Sequence, residues 1–201
     1  MVAAYKRVYQ FKVTLQETSP EVWRRILVPE TYTFYDLHVA IQDAMGWTDS
    51  HLHIFKVKRD HKANGKDMWL VGIPDPEYAD QTDKAGWETR ISDHFSLYQK
   101  KVYYRYDFGD SWDHIIEVEE LMDREVGTKY PKCIEGKNAC PPEDVGGTEG
   151  FKIFKKTMAN PSHEEHEELK MWYGGDFVAN KFTAEDVKFR NPSIALKGLL
   201  R

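Results

Sequence analysis

The chain has 201 residues, a length that suits one domain able to bury about 70% of its unfolded surface without disulfides or metals. With 41% hydrophobic, 30% charged and 13% aromatic residues and a mean hydropathy of −0.66, it falls outside the disordered, collagenous and membrane-protein classes. Its 28 basic and 33 acidic residues leave a net charge of −5, and the acidic excess lies in residues 61–130, so the positive field that steers proteins to nucleic acid is missing.

Residues 8–16 alternate, with Tyr9, Phe11, Val13 and Leu15 on one side and Gln10, Lys12, Thr14 and Gln16 on the other, which predicts a strand with one buried face. After the break at Ser19-Pro20, Val22 to Val28 reads as a second strand, and the two are expected to form a hairpin. Thr33 and Asp36 then have the spacing of a capping box, followed by Leu37, Ala40, Ile41, Ala44 and Met45 at helical intervals and a terminating Gly46. Strands are predicted over Leu52–Lys58 and Met68–Ile73 around the polar turn Asp60 to Gly65, with a loop over 74–86 anchored by Trp87. Val102, Tyr104, Tyr106 and Phe108 alternate with polar partners, and Gly109-Asp110-Ser111 turns the chain into Trp112–Leu121, a second hairpin. Helices are expected over Thr148–Met158 and over Ser162–Tyr173, the second opened by a Ser162/Glu165 capping box. The sum is an α+β fold over residues 1–201: a mostly antiparallel or mixed sheet built from hairpins, one early helix and a helical last third.

Several residues stand out chemically. His51 and His53, two apart in a predicted strand, project from one face, an arrangement that suits two metal-ligating imidazoles, and Asp107, Asp110 and His114 around the second hairpin turn are candidates to complete a divalent-metal site. Cys133 and Cys140 flank a short segment before Pro141-Pro142-Glu143-Asp144-Val145-Gly146-Gly147, a loop shaped by two prolines and a glycine pair; the thiols are open to metal binding, pairing or plain packing. Two resemblances fail. Asp107-Phe108-Gly109 lacks the other loops of a protein kinase, and the histidines of His163-Glu164-Glu165-His166 are three apart rather than the four a zinc-protease helix requires, which leaves a solvated acidic face. No apolar run approaches the roughly 20 residues of a membrane span, and the opening Met1 to Lys6 has no secretory character, so a cytoplasmic location away from membranes is expected.

Read in order, Pro20-Glu21-Val22-Trp23-Arg24-Arg25, Leu37-His38, Met45-Gly46-Trp47, His51 to Phe55, Tyr104 to His114 and Cys140 to Gly147 closely resemble the plasmid pRiA4b ORF-three-like family, from about Tyr9 to Leu199. The resemblance implies an α+β domain of bacteria and archaea, often carried on mobile or plasmid-borne DNA, whose members have been labelled resolvase-like or linked to a repressor domain; it implies no settled activity and no established cofactor. It groups Trp23, Arg24, His51, His53, Asp107, Asp110, Trp112, His114, Glu143 and Asp144, and these residues together with Arg25 are expected to line one cleft. Two functions follow as expectations. The first is a non-catalytic binding module whose aromatic, mixed-charge groove takes a protein, peptide or small ligand, or nucleic acid against the acidic net charge, with Trp23, Trp47 and Trp112 for packing and Arg24 and Arg25 for carboxylate or phosphate. The second is a metal-dependent hydrolase or phosphoesterase with His51, His53, Asp110 and His114 as ligands and Glu143 or Asp144 as base.

Overall fold

The computed structural model describes residues 5–63, 66–74, 82–96 and 99–200. Its eight strands are β1 (Arg7–Leu15), β2 (Val22–Pro29), β3 (His53–Ala63), β4 (Lys66–Gly72), β5 (Lys84–Ala85), β6 (Lys101–Tyr106), β7 (Trp112–Asp123) and β8 (Lys132–Lys137), and they form one sheet in the order β5-β4-β3-β6-β7-β1-β2-β8. Neighbours are antiparallel except β4 and β5, which run parallel, so the sheet is mixed. Four helices accompany it: α1 (Phe34–Met45), α2 (Gly147–Met158), α3 (His166–Tyr173) and α4 (Pro192–Leu199).

Both predicted hairpins form. In β1 the apolar set Tyr9, Phe11, Val13 and Leu15 is buried, and β2 pairs with it from Val8↔Pro29 to Leu15↔Val22. Alternation in β2 splits the basic pair: Arg24 points inward, 2% exposed, while Arg25 lies on the outer face and pairs with Glu119 and Glu135. Helix α1 starts and stops where its caps require. Thr33 and Asp36 exchange side-chain and backbone hydrogen bonds, and Gly46 takes the left-handed conformation (φ 86°) that ends the helix. Its apolar side packs on the sheet with Phe55, Val57, Val102, Tyr104 and Ile116.

Several expectations need correction. Strand β6 ends at Tyr106, not Phe108, because Asp107 adopts positive φ (57°) and leaves Phe108 exposed. Helix α3 begins at His166; the Ser162/Glu165 box does not form, since Ser162 N–H donates to Asn160 Oδ1 and tight turns carry the chain to the helix. Within the expected 74–86 loop, Lys84–Ala85 is a short strand beside β4, while the tip at 64–65 and residues 75–81 lie outside the described residues. Trp87 rests edge-on against Tyr35. Strand β8 and helix α4 are additional: β8 forms the far edge of the sheet beside β2, and α4 packs on α1. No helix among the described residues is long and apolar enough to cross a membrane.

Candidate functional site

Register places the site. The cross-strand rows His53–Tyr106–Trp112 and Phe55–Tyr104–His114 all face the interior beneath α1, and the ladder continues one step further, where Asp107 N–H donates to Leu52 C=O at 2.9 Å. His51 and Asp107 therefore meet at the end of the sheet, where both chains leave their strands. Asp107 folds back on its turn: Oδ1 accepts from Gly109 N–H (2.8 Å) and Asp110 N–H (3.3 Å), and its C=O accepts from Ser111 N–H, so Oδ2 is left facing His51 Nε2 at 3.7 Å.

The Pro141–Gly147 loop closes over this corner. Asp110 Oδ2 accepts from Gly146 N–H (3.2 Å), and Gly147 (φ 67°) brings its backbone so near the hairpin turn that a Cβ there would sit 2.7 Å from Asp110 O. Asp144, itself at positive φ (59°), reaches His51 Nε2 with Oδ1 at 3.1 Å. Glu143 braces the loop that carries His51. Oε2 accepts from Thr48 N–H (2.8 Å) and in a short bond from the Thr48 hydroxyl, while Oε1 accepts a short bond from the Tyr106 hydroxyl and a longer one from Ser50 (3.4 Å). Trp47 Nε1–H adds a bond to Pro141 C=O at 2.9 Å. Burial alone would raise the Glu143 carboxyl, but bonds from Thr48 and Tyr106 and the nearby His51 outweigh it and hold the pKa below the ordinary value. Tyr106 moves the other way, raised by burial and then by its bond to Glu143.

One ligand atom each from His51, Asp107 and Asp144 lies within 4.8 Å of the others. A cation with bonds of about 2.0–2.2 Å separates its ligands by about 3–4 Å, and His51 Nε2 stands 3.7 Å from Asp107 Oδ2 and 3.1 Å from Asp144 Oδ1. Asp107 is the fixed member, with an 8% exposed side chain, and His51 Nε2, shielded from solvent, meets the two carboxylates without hydrogen-bond geometry to either. Three oxygen and nitrogen donors with room for more suit zinc or manganese.

The remaining residues expected in the cleft go elsewhere. His53 is 2% exposed and stacks face to face on His38, centroids 3.5 Å apart at 10°, with neither ring nitrogen hydrogen-bonded. Burial, then proximity to His38, holds its pKa well below the ordinary value. His114 is fully buried: Nδ1–H donates to Trp112 C=O at 2.9 Å, the ring stands edge-on to Trp47, and burial pushes its pKa down to about 4. Neither joins the His51 cluster, because both lie on inward-facing strand positions. Trp112 is likewise in the core, and Trp23, half-buried on the outer face, carries Lys12 and Arg25 against its ring. Sequence reasoning missed Thr48, Ser50 and Tyr106 as the partners of Glu143, although they flank residues it did single out.

An α+β protein with an imidazole–carboxylate cluster clamped at one end of its sheet is the class that fold and site define. The chain belongs to the plasmid pRiA4b ORF-3-like protein family, whose model matches residues 7–186. It is 40% identical over 167 residues to the uncharacterized protein y4hQ of Sinorhizobium fredii (strain NBRC 101917 / NGR234), a match that spans 83% of this chain and 81% of that one. It is also similar, at 37% identity and a TM-score of 0.83, to the crystal structure of a protein of unknown function, MM3350, from Methanosarcina mazei Go1, over 92% of this chain and 99% of the other.

Proposed function

We propose that the protein is a metal-dependent hydrolase acting at the end of the sheet, with His51 Nε2, Asp107 Oδ2 and Asp144 Oδ1 as ligands of one divalent cation. The observation that carries this reading is the convergence of those three atoms from three separate segments, with Asp107 already fixed by its own turn. A cation held there supplies Lewis-acid polarisation and a lowered pKa for water, the two contributions hydrolysis needs most. Phosphoesters are the substrate class we favour, because a divalent cation at this corner would attract a phosphoryl oxygen against the repulsion of Asp107, Asp110, Glu143 and Asp144. In the reaction water's oxygen forms a new P–O bond, the ester oxygen leaves with the electrons of the old one, and the proton lost by water ends on the leaving group. Glu143 is a positioning residue here, since both its oxygens are occupied by donors from Thr48, Ser50 and Tyr106.

A single aromatic, mixed-charge groove draws less support, since Trp112 is interior and Arg25 is paired with glutamates. The free thiols Cys133 and Cys140 favour a reducing, cytoplasmic setting. The test is turnover of bis(p-nitrophenyl) phosphate by metal-stripped protein supplied with manganese or zinc. We expect metal-dependent turnover that His51→Ala and Asp107→Asn abolish; turnover that is absent, or equal in the variants, refutes the reading.

A further inference from the structure

A second polar feature lies apart from the His51 cluster. A cavity of about 420 Å³ opens between the C-terminal end of α1, the Cys140–Glu143 loop and the 181–188 segment, and Arg24 lines it. This guanidinium is buried, yet its recorded acceptors are all main-chain carbonyls. Nε donates to Ala44 C=O (2.9 Å), and Nη1 to Trp23 C=O (2.8 Å) and Lys137 C=O (3.1 Å). Among the described residues no acceptor stands at Nη2 and no carboxylate within ion-pair distance.

The carbonyl end of α1 offsets roughly half a charge. Carbonyl oxygens and the Phe182 face meet the rest, and among the described residues no carboxylate does. Other arginines of the chain differ. Bonds to Glu119 raise the pKa of Arg25 and bonds to Asp113 that of Arg105, whereas burial lowers that of Arg24. The arrangement is also built around the guanidinium. The Phe182 ring covers it at 3.7 Å, and opposite on β8 stands Gly136, where a Cβ would sit 2.9 Å from Arg24 Cδ and closer still to the Phe182 ring.

We propose that this cavity binds a small organic carboxylate, its charge on Arg24 and its apolar body against Met45, Trp47, Pro142 and Val187. A monoanion fits better than a phosphate dianion. The rim offers Lys181 and Lys188 but also Asp186; Asp43 is matched by Arg190, and the Glu143 carboxylate is turned toward Thr48 and Tyr106. The cavity shares the Pro141–Glu143 loop with the cation cluster but none of its proposed ligands, so metal-stripped protein serves for the test and its outcome is read apart from the hydrolase reading.

The probes are benzoate, neutral benzamide and inorganic phosphate at constant ionic strength, followed by calorimetry and by the Trp47 indole N–H resonance. Benzoate is expected to bind on the order of tenfold tighter than benzamide, as a charge-assisted contact provides, and to shift the Trp47 signal. Thr183→Trp, which fills the mouth from an exposed position, is expected to abolish both effects while the chain stays folded. No benzoate binding, equal binding of benzamide, tighter binding of phosphate, or unchanged binding in Thr183→Trp each overturns the proposal. Arg24→Gln, where it folds, is expected to bind benzoate no better than benzamide.

Discussion

The loops at the end of the sheet hold one histidine, His51, and the interior beneath α1 holds three, and the two regions treat the imidazole in opposite ways. At the end of the sheet His51 meets two carboxylates, one of them fixed by backbone N–H groups, and a network from Glu143 holds the loops together. Beneath α1, His38, His53 and His114 are sealed among aromatic rings. There the Tyr104 hydroxyl accepts from Gln42 Nε2 (3.0 Å) and donates to His38 Nδ1 (2.8 Å), and His38 Nε2–H donates to Asp49 Oδ1 (2.6 Å). The first arrangement leaves lone pairs facing one point and suits ligation. The second keeps the His53 and His114 rings neutral and suits packing, which predicts that the two regions respond to different perturbations.

Acid should act on the interior first. Folded His114 stays neutral down to about pH 4, whereas the unfolded chain takes up that proton near 6.5, so the unfolded state binds more protons between these values. Stability is therefore complete above about pH 6.5 and falls as pH drops toward 4, by about 3 kcal/mol from this one group. Urea unfolding at pH 7 and pH 4.5 checks it: the pH dependence should be shallower in His114→Phe, and an identical dependence counts against neutral burial. Next in size, Tyr104→Phe strips the partner from His38 Nδ1 and Gln42 Nε2 and should cost about 1–3 kcal/mol in urea unfolding with cation affinity unchanged.

Gly147→Ala tests the clamp between the loops. Its positive φ and the close Asp110 carbonyl predict a loss of about 1–2 kcal/mol, with weaker cation binding as the loops separate, read by unfolding and by calorimetry. Smallest of all, His51→Ala removes a half-exposed ring and should shift unfolding by less than about 0.5 kcal/mol. A large loss in that variant would make His51 a structural residue and blur the distinction between the two regions.

Much of this was legible from residue order. Alternation in β1 and around the Gly109 turn reports directly on one buried face, and the Thr33/Asp36 box marks the start of α1, because these signals are local. Grouping the polar residues of the motifs puts His51, Asp107, Glu143 and Asp144 together, but in one set with His53, Trp112 and His114, which lie in the core. Other features are not encoded locally. Strand β8 buries Cys133 but leaves most of its side chains exposed, and α4 leaves Ile194 and Leu199 exposed, so neither carries a clear apolar stripe. The separation of His51 from His53 depends on β3 beginning at residue 53, which puts one ring outside the ladder and the other within it. The inward turn of Arg24 follows the local alternation of β2, but its pairing with Gly136, a partner more than a hundred residues away in the chain, does not.

The central claim is that His51, Asp107 and Asp144 hold one divalent cation while the interior histidines hold none. Its most direct test is metal content after equilibration with zinc or manganese and gel filtration, measured for the parent chain, Asp107→Asn and His53→Phe. The account predicts about one equivalent in the parent and in His53→Phe and none in Asp107→Asn. A parent chain without metal, or a His53→Phe chain that loses it while Asp107→Asn retains it, would contradict the account.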